Sequence, residues 1–296
     1  MTTTPRHEAF EIDRPLTIRL KHISGDVTVT ASASSQCRVT LTAHSPEAQT
    51  LVDEAQIEFS TVGSVADVDI NVGRDGQSVN RGVLTLFWVF KHGIQNAKAN
   101  NSVDVHLEVP EGTSVNLSSI SGDIDSSAAV TGRTELKSVS GYLRSGLVHG
   151  SAQLKTTSGA IEVLDVLGSL EATSVSGSVK TGAVHGAIDI KTVSGSISTC
   201  IAVPASVFAK TVSGSIEINV TPGLPVSVDA KSVSGRLRST IALDESLQSA
   251  PSVDSRIFGA APSPATSSRT TSAEASVSLS SQSVSGNILI QTLPSV

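Results

Sequence analysis

Through the middle of the chain, from about Leu117 to Leu237, apolar and polar residues alternate in short runs. Each run ends on one phrase: a β-branched residue, Ser, Gly, a small or polar residue, then an aliphatic. It reads Ile120-Ser121-Gly122-Asp123-Ile124, Val139-Ser140-Gly141-Tyr142-Leu143 and Thr157-Ser158-Gly159-Ala160-Ile161, and continues through Gly177, Gly195, Gly214 and Gly235. The glycines recur at about 18 residues, a period that marks stacked repeats. A second phrase lies half a period away: Val130-Thr131-Gly132, Val148-His149-Gly150, Val166-Leu167-Gly168 and Val184-His185-Gly186. Alternation is the strand period, so each repeat predicts strand, Gly corner, strand, Gly corner. Glycines this frequent, among Ser, Thr, Val and Ile, disfavour a helix.

The fold expected is therefore all-β: a parallel β-solenoid with one coil of about 18 residues per repeat, stacked at about 4.8 Å. Two corners per repeat favour a flattened two-sheet coil over a three-sided one. Gly25, Gly122, Gly141, Gly159, Gly177, Gly195, Gly214, Gly235 and Gly286 are the corner glycines, where positive φ carries no Cβ penalty. The Ser beside each is expected to bond to turn backbone. Two aliphatic columns are expected to fill the core. One holds Leu136, Leu154, Leu170, Ile190 and Phe208; the other holds Ile124, Leu143, Ile161, Val179, Ile197 and Ile216.

Along the chain, residues 1–9 read as a disordered tail and 10–110 as irregular β coils with a capping function. Residues 111–240 read as the regular solenoid. Ile23-Ser24-Gly25-Asp26-Val27 echoes the phrase at Gly122 and marks an early coil. Ser45-Pro46-Glu47 predicts a short helix over 46–55, with Ser as cap and Pro in the first turn. The run Val83–Phe90, which holds the only Trp, is expected to cap the open end of the core. Residues 241–275, rich in Ala, Ser, Pro and Thr, read as a low-complexity insertion. Val284-Ser285-Gly286-Asn287-Ile288 then restores the repeat, so 276–296 is expected to form a final coil closing the C-terminal end.

Composition narrows the function classes. Aromatic residues are only 3% of the chain, as a thin coil requires. The net charge of −6 offers no basic stripe for nucleic acid. Cys37 and Cys200 have no metal or disulfide spacing. Met1-Thr2-Thr3-Thr4-Pro5-Arg6 has no apolar leader core, and no apolar run is long enough to span a bilayer. The expected location is cytoplasmic, and a place at the cell surface would need an export route not visible in the sequence.

The serial Val-Ser-Gly-(Ser/Asp)-Ile phrases, with Ser24-Gly25-Asp26-Val27 and the Val109-Pro110-Glu111-Gly112 turn, resemble a bacterial domain-of-unknown-function family that carries an adhesin label. The resemblance covers about residues 10–240 and 276–292. It implies a Gly-rich β-solenoid and a non-enzymatic, adhesin-like role. It supplies no catalytic motif.

Candidate sites are few. Lys137, Lys155, Lys191, Lys210 and Lys231 are expected to stack into a ladder on one outer face, beside a broken acidic ladder of Glu135, Glu171, Asp189 and Asp229. Such a face suits solvent or serves as a binding surface. His149 and His185 fall two coils apart, about 9.6 Å, too far to share a zinc ion comfortably. Asp123, Asp125 and Glu162 are the carboxylates nearest to a glycan-cleaving arrangement, which needs paired acids on one face. No catalytic, metal or cofactor site is expected. The function expected is a binding or scaffold surface for an unknown protein or glycan. A cytoplasmic accessory protein working through residues 241–275 and a glycan-active enzyme are the alternatives. Solenoid ends and edges offer a route to homo-oligomers.

Overall fold

The computed structural model describes residues 3–72, 102–203, 205–222, 226–234, 236–239 and 277–292. The chain begins with β1 (Arg6–Glu11), β2 (Leu16–Ser24), β3 (Val27–Ser32), β4 (Gln36–Ala43), helix α1 (Pro46–Asp53), β5 (Gln56–Val62) and β6 (Val65–Val72). β7 (Val103–Pro110) leads into β8 (Ser114–Ser121), β9 (Ile124–Ala128), β10 (Thr134–Ser140), β11 (Leu143–Val148), β12 (Ala152–Ser158) and β13 (Ile161–Val166). Next come β14 (Leu170–Ser176), β15 (Val179–Val184), β16 (Ile188–Ser194), β17 (Ile197–Ile201), β18 (Ser206–Ser213) and β19 (Ile216–Val220). The last strands are β20 (Val226–Ser234), β21 (Leu237–Ser239), β22 (Val277–Ser285) and β23 (Ile288–Thr292).

Successive strands of the regular part alternate between two sheets, so each coil is flat, with two strands and two corners. The first sheet runs β20-β22-β18-β16-β14-β12-β10-β8-β2-β6-β5, and the second β1-β4-β7-β3-β9-β11-β13-β15-β17-β19-β23-β21. The coil-to-coil pairings are parallel and in register: Leu136 lies beside Leu154, and Leu143 beside Ile161. At one corner the Gly159 N–H donates to the Ser176 carbonyl at 3.0 Å, and the same bond recurs up the stack. Gly159 has φ +135°, and a Cβ there would sit 2.0 Å from the Gly141 carbonyl oxygen. Both the turn and the close approach therefore require glycine at this position.

The inner faces enclose a thin aliphatic core. The column Ile124, Leu143, Ile161, Val179, Ile197 and Ile216 is present in the second sheet. The other expected column is corrected. Leu136 and Leu154 continue into Ala172, Ile190 and Ala209, while Leu170 belongs to a neighbouring column with Ala152, Ile188 and Val207. Phe208 pairs with Asp189 and so faces outward. Small residues at 172 and 209 alternate with larger ones, which lets a close-packed core stay narrow.

A third inward column of the first sheet is polar. Ser119, Ser138, Thr156, Ser174, Thr192, Thr211 and Ser283 are all buried. Several of these hydroxyls donate to corner carbonyls: Thr211 Oγ1 to Gly195 O at 3.2 Å, and Ser283 Oγ to Gly214 O at 3.3 Å. Thus the bonds expected from the Ser beside each glycine come instead from the hydroxyl two residues earlier. Tight corners aim carbonyls inward, and a buried acceptor needs a donor.

Stack order departs from chain order at both ends. The β2/β3 coil is held between the β6/β7 strands and the β8/β9 coil. Likewise β22 lies between β18 and β20, and β23 between β19 and β21. The coil at 277–292 is therefore second from the end and does not close the stack. At the opposite end β4, β1 and β5 pair antiparallel. Residues 6–9, expected within a disordered tail, belong to β1. Helix α1 buries Ala48 and Val52 there, with the Ala48 N–H donating to the Ser45 hydroxyl at 3.0 Å. The Val83–Phe90 run, Gly235 and the 241–275 insertion lie outside the described residues.

Candidate binding face

Alternation places three outward columns on the first sheet. Nearest the Val-His-Gly corners stand Asn116, Glu135, Gln153, Glu171, Asp189, Phe208 and Ser280. Next comes the lysine column: Lys137 lies beside Lys155, Thr173 follows, then Lys191 and Lys210. Gln282 separates Lys210 from Lys231, because β22 enters between their strands. Nearest the Ser-Gly corners is a β-branched column that includes Ile23, Val175, Val193, Val212 and Val284, each between 40% and 49% exposed.

The lysine and acidic columns neutralise one another. Lys155 Nζ lies 2.9 Å from Glu171 Oε1, Lys191 Nζ lies 2.7 Å from Asp189 Oδ2, and Lys137 pairs with Glu135. Gln153 Nε2 also donates to Glu171 Oε2 at 2.6 Å. The Lys155 and Gln153 bonds hold the Glu171 carboxyl below its ordinary pKa. Lys191 also stands 5.3 Å from the centroid of the Phe208 ring. The ladder is thus charge-paired along much of its length, not a bare cationic stripe.

The second sheet carries an alternating charge ladder. Arg144 stands between Asp125 at 3.8 Å and Glu162 at 3.7 Å, and Lys180 follows at 3.9 Å from Glu162. Asp123 accepts the Tyr142 N–H at 2.8 Å. The three carboxylates nearest to a hydrolytic set are therefore occupied with a corner bond and with Arg144. His149 and His185 are exposed at corners on either side of Leu167. Among the described residues no His, Cys, Asp and Glu cluster suits a metal ion. Cys37 is buried and desolvation pushes its thiol up to about 12; Cys200 is shifted upward for the same reason.

A shallow groove runs across the first sheet where its strands begin. Gln153, Glu171, Asp189 and Phe208 form one side and Ser151, Ser169 and Ser206 the other, with Arg133 at one end. The groove and the exposed β-branched column went unread in the sequence. The latter had a signal: the residue before each Ser-Gly has the outward parity of the lysine two places earlier.

A model of the Toastrack DUF4097 family matches residues 94–256, more than half of the chain. No curated protein matches it. Among solved structures, a "putative adhesin" from Bacteroides fragilis is 12% identical, with 99% of this chain and 98% of that chain covered and a TM-score of 0.43. One from Parabacteroides distasonis is 12% identical, covering 98% and 97%, at 0.44. One from Parabacteroides merdae is 14% identical, covering 98% and 96%, at 0.44. No helix among the described residues is long and apolar enough to cross a membrane.

Proposed function

The chain belongs to the Toastrack DUF4097 family, and from that premise we propose that it is a non-enzymatic, adhesin-like β-solenoid whose first sheet is a binding surface for protein or glycan. The β-branched column carries this reading. A single exposed valine needs no explanation. Val175, Val193, Val212 and Val284 are different: they project from neighbouring strands β14, β16, β18 and β22, each more than 40% exposed. Contiguous exposed apolar surface on a soluble domain marks an interaction site. The backbone beneath it is bonded to the coils on both sides, so the surface is presented with little ordering left to be done on binding.

Asp123, Asp125 and Glu162 support the non-enzymatic part, since each already serves a corner or an ion pair. A bare lysine ladder for an anionic polymer is disfavoured by the pairing of Lys137, Lys155 and Lys191 with acids. Binding of the purified chain to protein and glycan arrays, compared with the V175D/V193D/V212D variant, tests the reading. Binding lost in a variant that keeps its Tm supports it. Binding equal in the two, or no binding by the natural chain, overturns it. Fractionation of the host cells tests the adhesin part: recovery with the envelope supports it, and recovery from cytosol alone overturns it.

A further inference from the structure

We infer that the groove across β12, β14, β16 and β18 binds a neutral, extended glycan. The inference rests on the binding-surface reading and assigns it a ligand class and a second location, at the strand ends opposite the valine column.

Chemistry and dimensions both point there. One wall offers amide and carboxylate groups from Gln153, Glu171 and Asp189, and the other offers hydroxyls from Ser151, Ser169 and Ser206. Both rows carry groups able to donate and accept, as a polyhydroxylated ligand requires, and Ser169 already donates to Ser151 at 3.2 Å. Asp189 Oδ2 is held by Lys191, but Oδ1 is buried with no hydrogen-bond partner among the described residues. With no accessible surface, Oδ1 is closed to a ligand, and the Lys191-bound Oδ2 keeps the carboxylate charge-matched. The Phe208 ring, in register beside Asp189, supplies an apolar face for the C–H side of a pyranose.

Charge decides between ligand classes. Glu171 is matched by Lys155 and Asp189 by Lys191, which leaves Arg133 as the one charge without a counterpart among these lining groups. A nearly neutral groove favours neither a polyanion nor a free cation. A peptide would instead need an open strand edge or deep apolar pockets; the groove lies on a sheet face, and the apolar residues at its floor, Ala152, Leu170, Ile188 and Val207, are each only 2% exposed. The groove crosses β12 to β18 and reaches Ser280 of β22, a length of about 19 Å at the strand spacing.

Calorimetric titration with cellohexaose, chitohexaose, mannohexaose and xylohexaose tests this, with hexagalacturonate as the anionic comparator. The expected result is saturable binding of at least one neutral hexasaccharide, weakened at least tenfold by Phe208→Ala and by Glu171→Gln. Lys180→Ser, on the second sheet, serves as the control and leaves it unchanged. Each variant is checked for an unaltered Tm. Tighter binding of the galacturonate, or equal binding by Phe208→Ala, overturns the inference. Silence of all neutral hexasaccharides while the natural chain still binds an array target through the valine column overturns the groove alone. Silence in both experiments overturns the groove and the binding-surface reading together.

Discussion

The backbone N–H of Asp123 donates to Asp26 Oδ1 at 3.0 Å, across 97 residues of chain. The bond is one of a series: the Asp26 N–H donates to Asp104 Oδ1 at 3.0 Å, and the Tyr142 N–H to Asp123 Oδ1 at 2.8 Å. Asn287 Oδ1 receives the Arg236 N–H in the same way at 3.0 Å. Side-chain oxygens of Asp26, Asp123 and Asn287, each after a corner glycine, and of Asp104 in β7 thus fasten one coil to the next, and all but the Asp123–Tyr142 bond lie where chain order and stack order differ. Asp26→Ala is expected to cost about 1–2 kcal/mol, read by urea unfolding. Asp26→Asn keeps the acceptor and is expected to lose less than half of that. Equal losses in the two variants would count against the joint.

Gly159→Ala is expected to be far worse than an ordinary surface substitution. Its φ of +135° and the 2.0 Å approach of a Cβ to the Gly141 carbonyl leave no room for relaxation except by parting two coils. Left-handed strain and overpacking together amount to about 3 kcal/mol. Thermal unfolding of the variant measures it.

The buried hydroxyl column separates two kinds of substitution. Thr211→Val removes the donor to the Gly195 carbonyl and is expected to cost about 1 kcal/mol. Ser174 Oγ is buried without a partner among the described residues. Ser174→Ala is therefore expected to be neutral or slightly stabilising, because a desolvated polar group is removed. Paired denaturant curves decide the matter.

His22 occupies this column in the β2 strand, beside Ser119. Its Nε2 bonds to the Val103 carbonyl at 2.7 Å, so the ring is a donor there and is buried neutral. Desolvation lowers its pKa below the ordinary 6.5, and the Val103 bond and the charges of Asp104 and Asp26 oppose that only in part. The unfolded chain takes up a proton before the folded one does. Stability is thus full above about pH 6.5 and falls as pH drops through that value toward the lower folded pKa. Urea midpoints measured at about pH 7.5 and pH 5 should diverge in the natural chain, and His22→Ser should narrow the difference.

The regular coil was legible because repetition averages out the ambiguity of short strands. Nine-residue half-periods, with glycine at both, leave room for two strands and two corners. What escaped was parity within a single strand. Leu170 and Phe208 are both large and apolar, yet the alternation runs from Leu170 inward to Glu171 outward, and Phe208 shares the register of Glu171. Hydrophobicity alone turned Phe208 the wrong way, and it placed Leu170, which does face inward, one column from its true register. The stack order escaped because neighbours in sequence are usually neighbours in space. The echo of Ile23-Ser24-Gly25-Asp26 in Ile120-Ser121-Gly122-Asp123 was the one hint of a direct joint. The groove escaped because it exists only when corner serines and strand carboxylates from several coils are superposed.

The interleaved C-terminal coil has a mechanical consequence. In a solenoid threaded in simple order, tension on the last strand peels an exposed edge, one ladder at a time. Here β22 is bonded to β18 on one side and β20 on the other, and β23 likewise to β19 and β21. A pull entering at Thr292 must therefore break two parallel ladders, to β19 and to β21, before β23 leaves the second sheet. The last described strand is thereby held as an interior strand, with no edge of its own to peel.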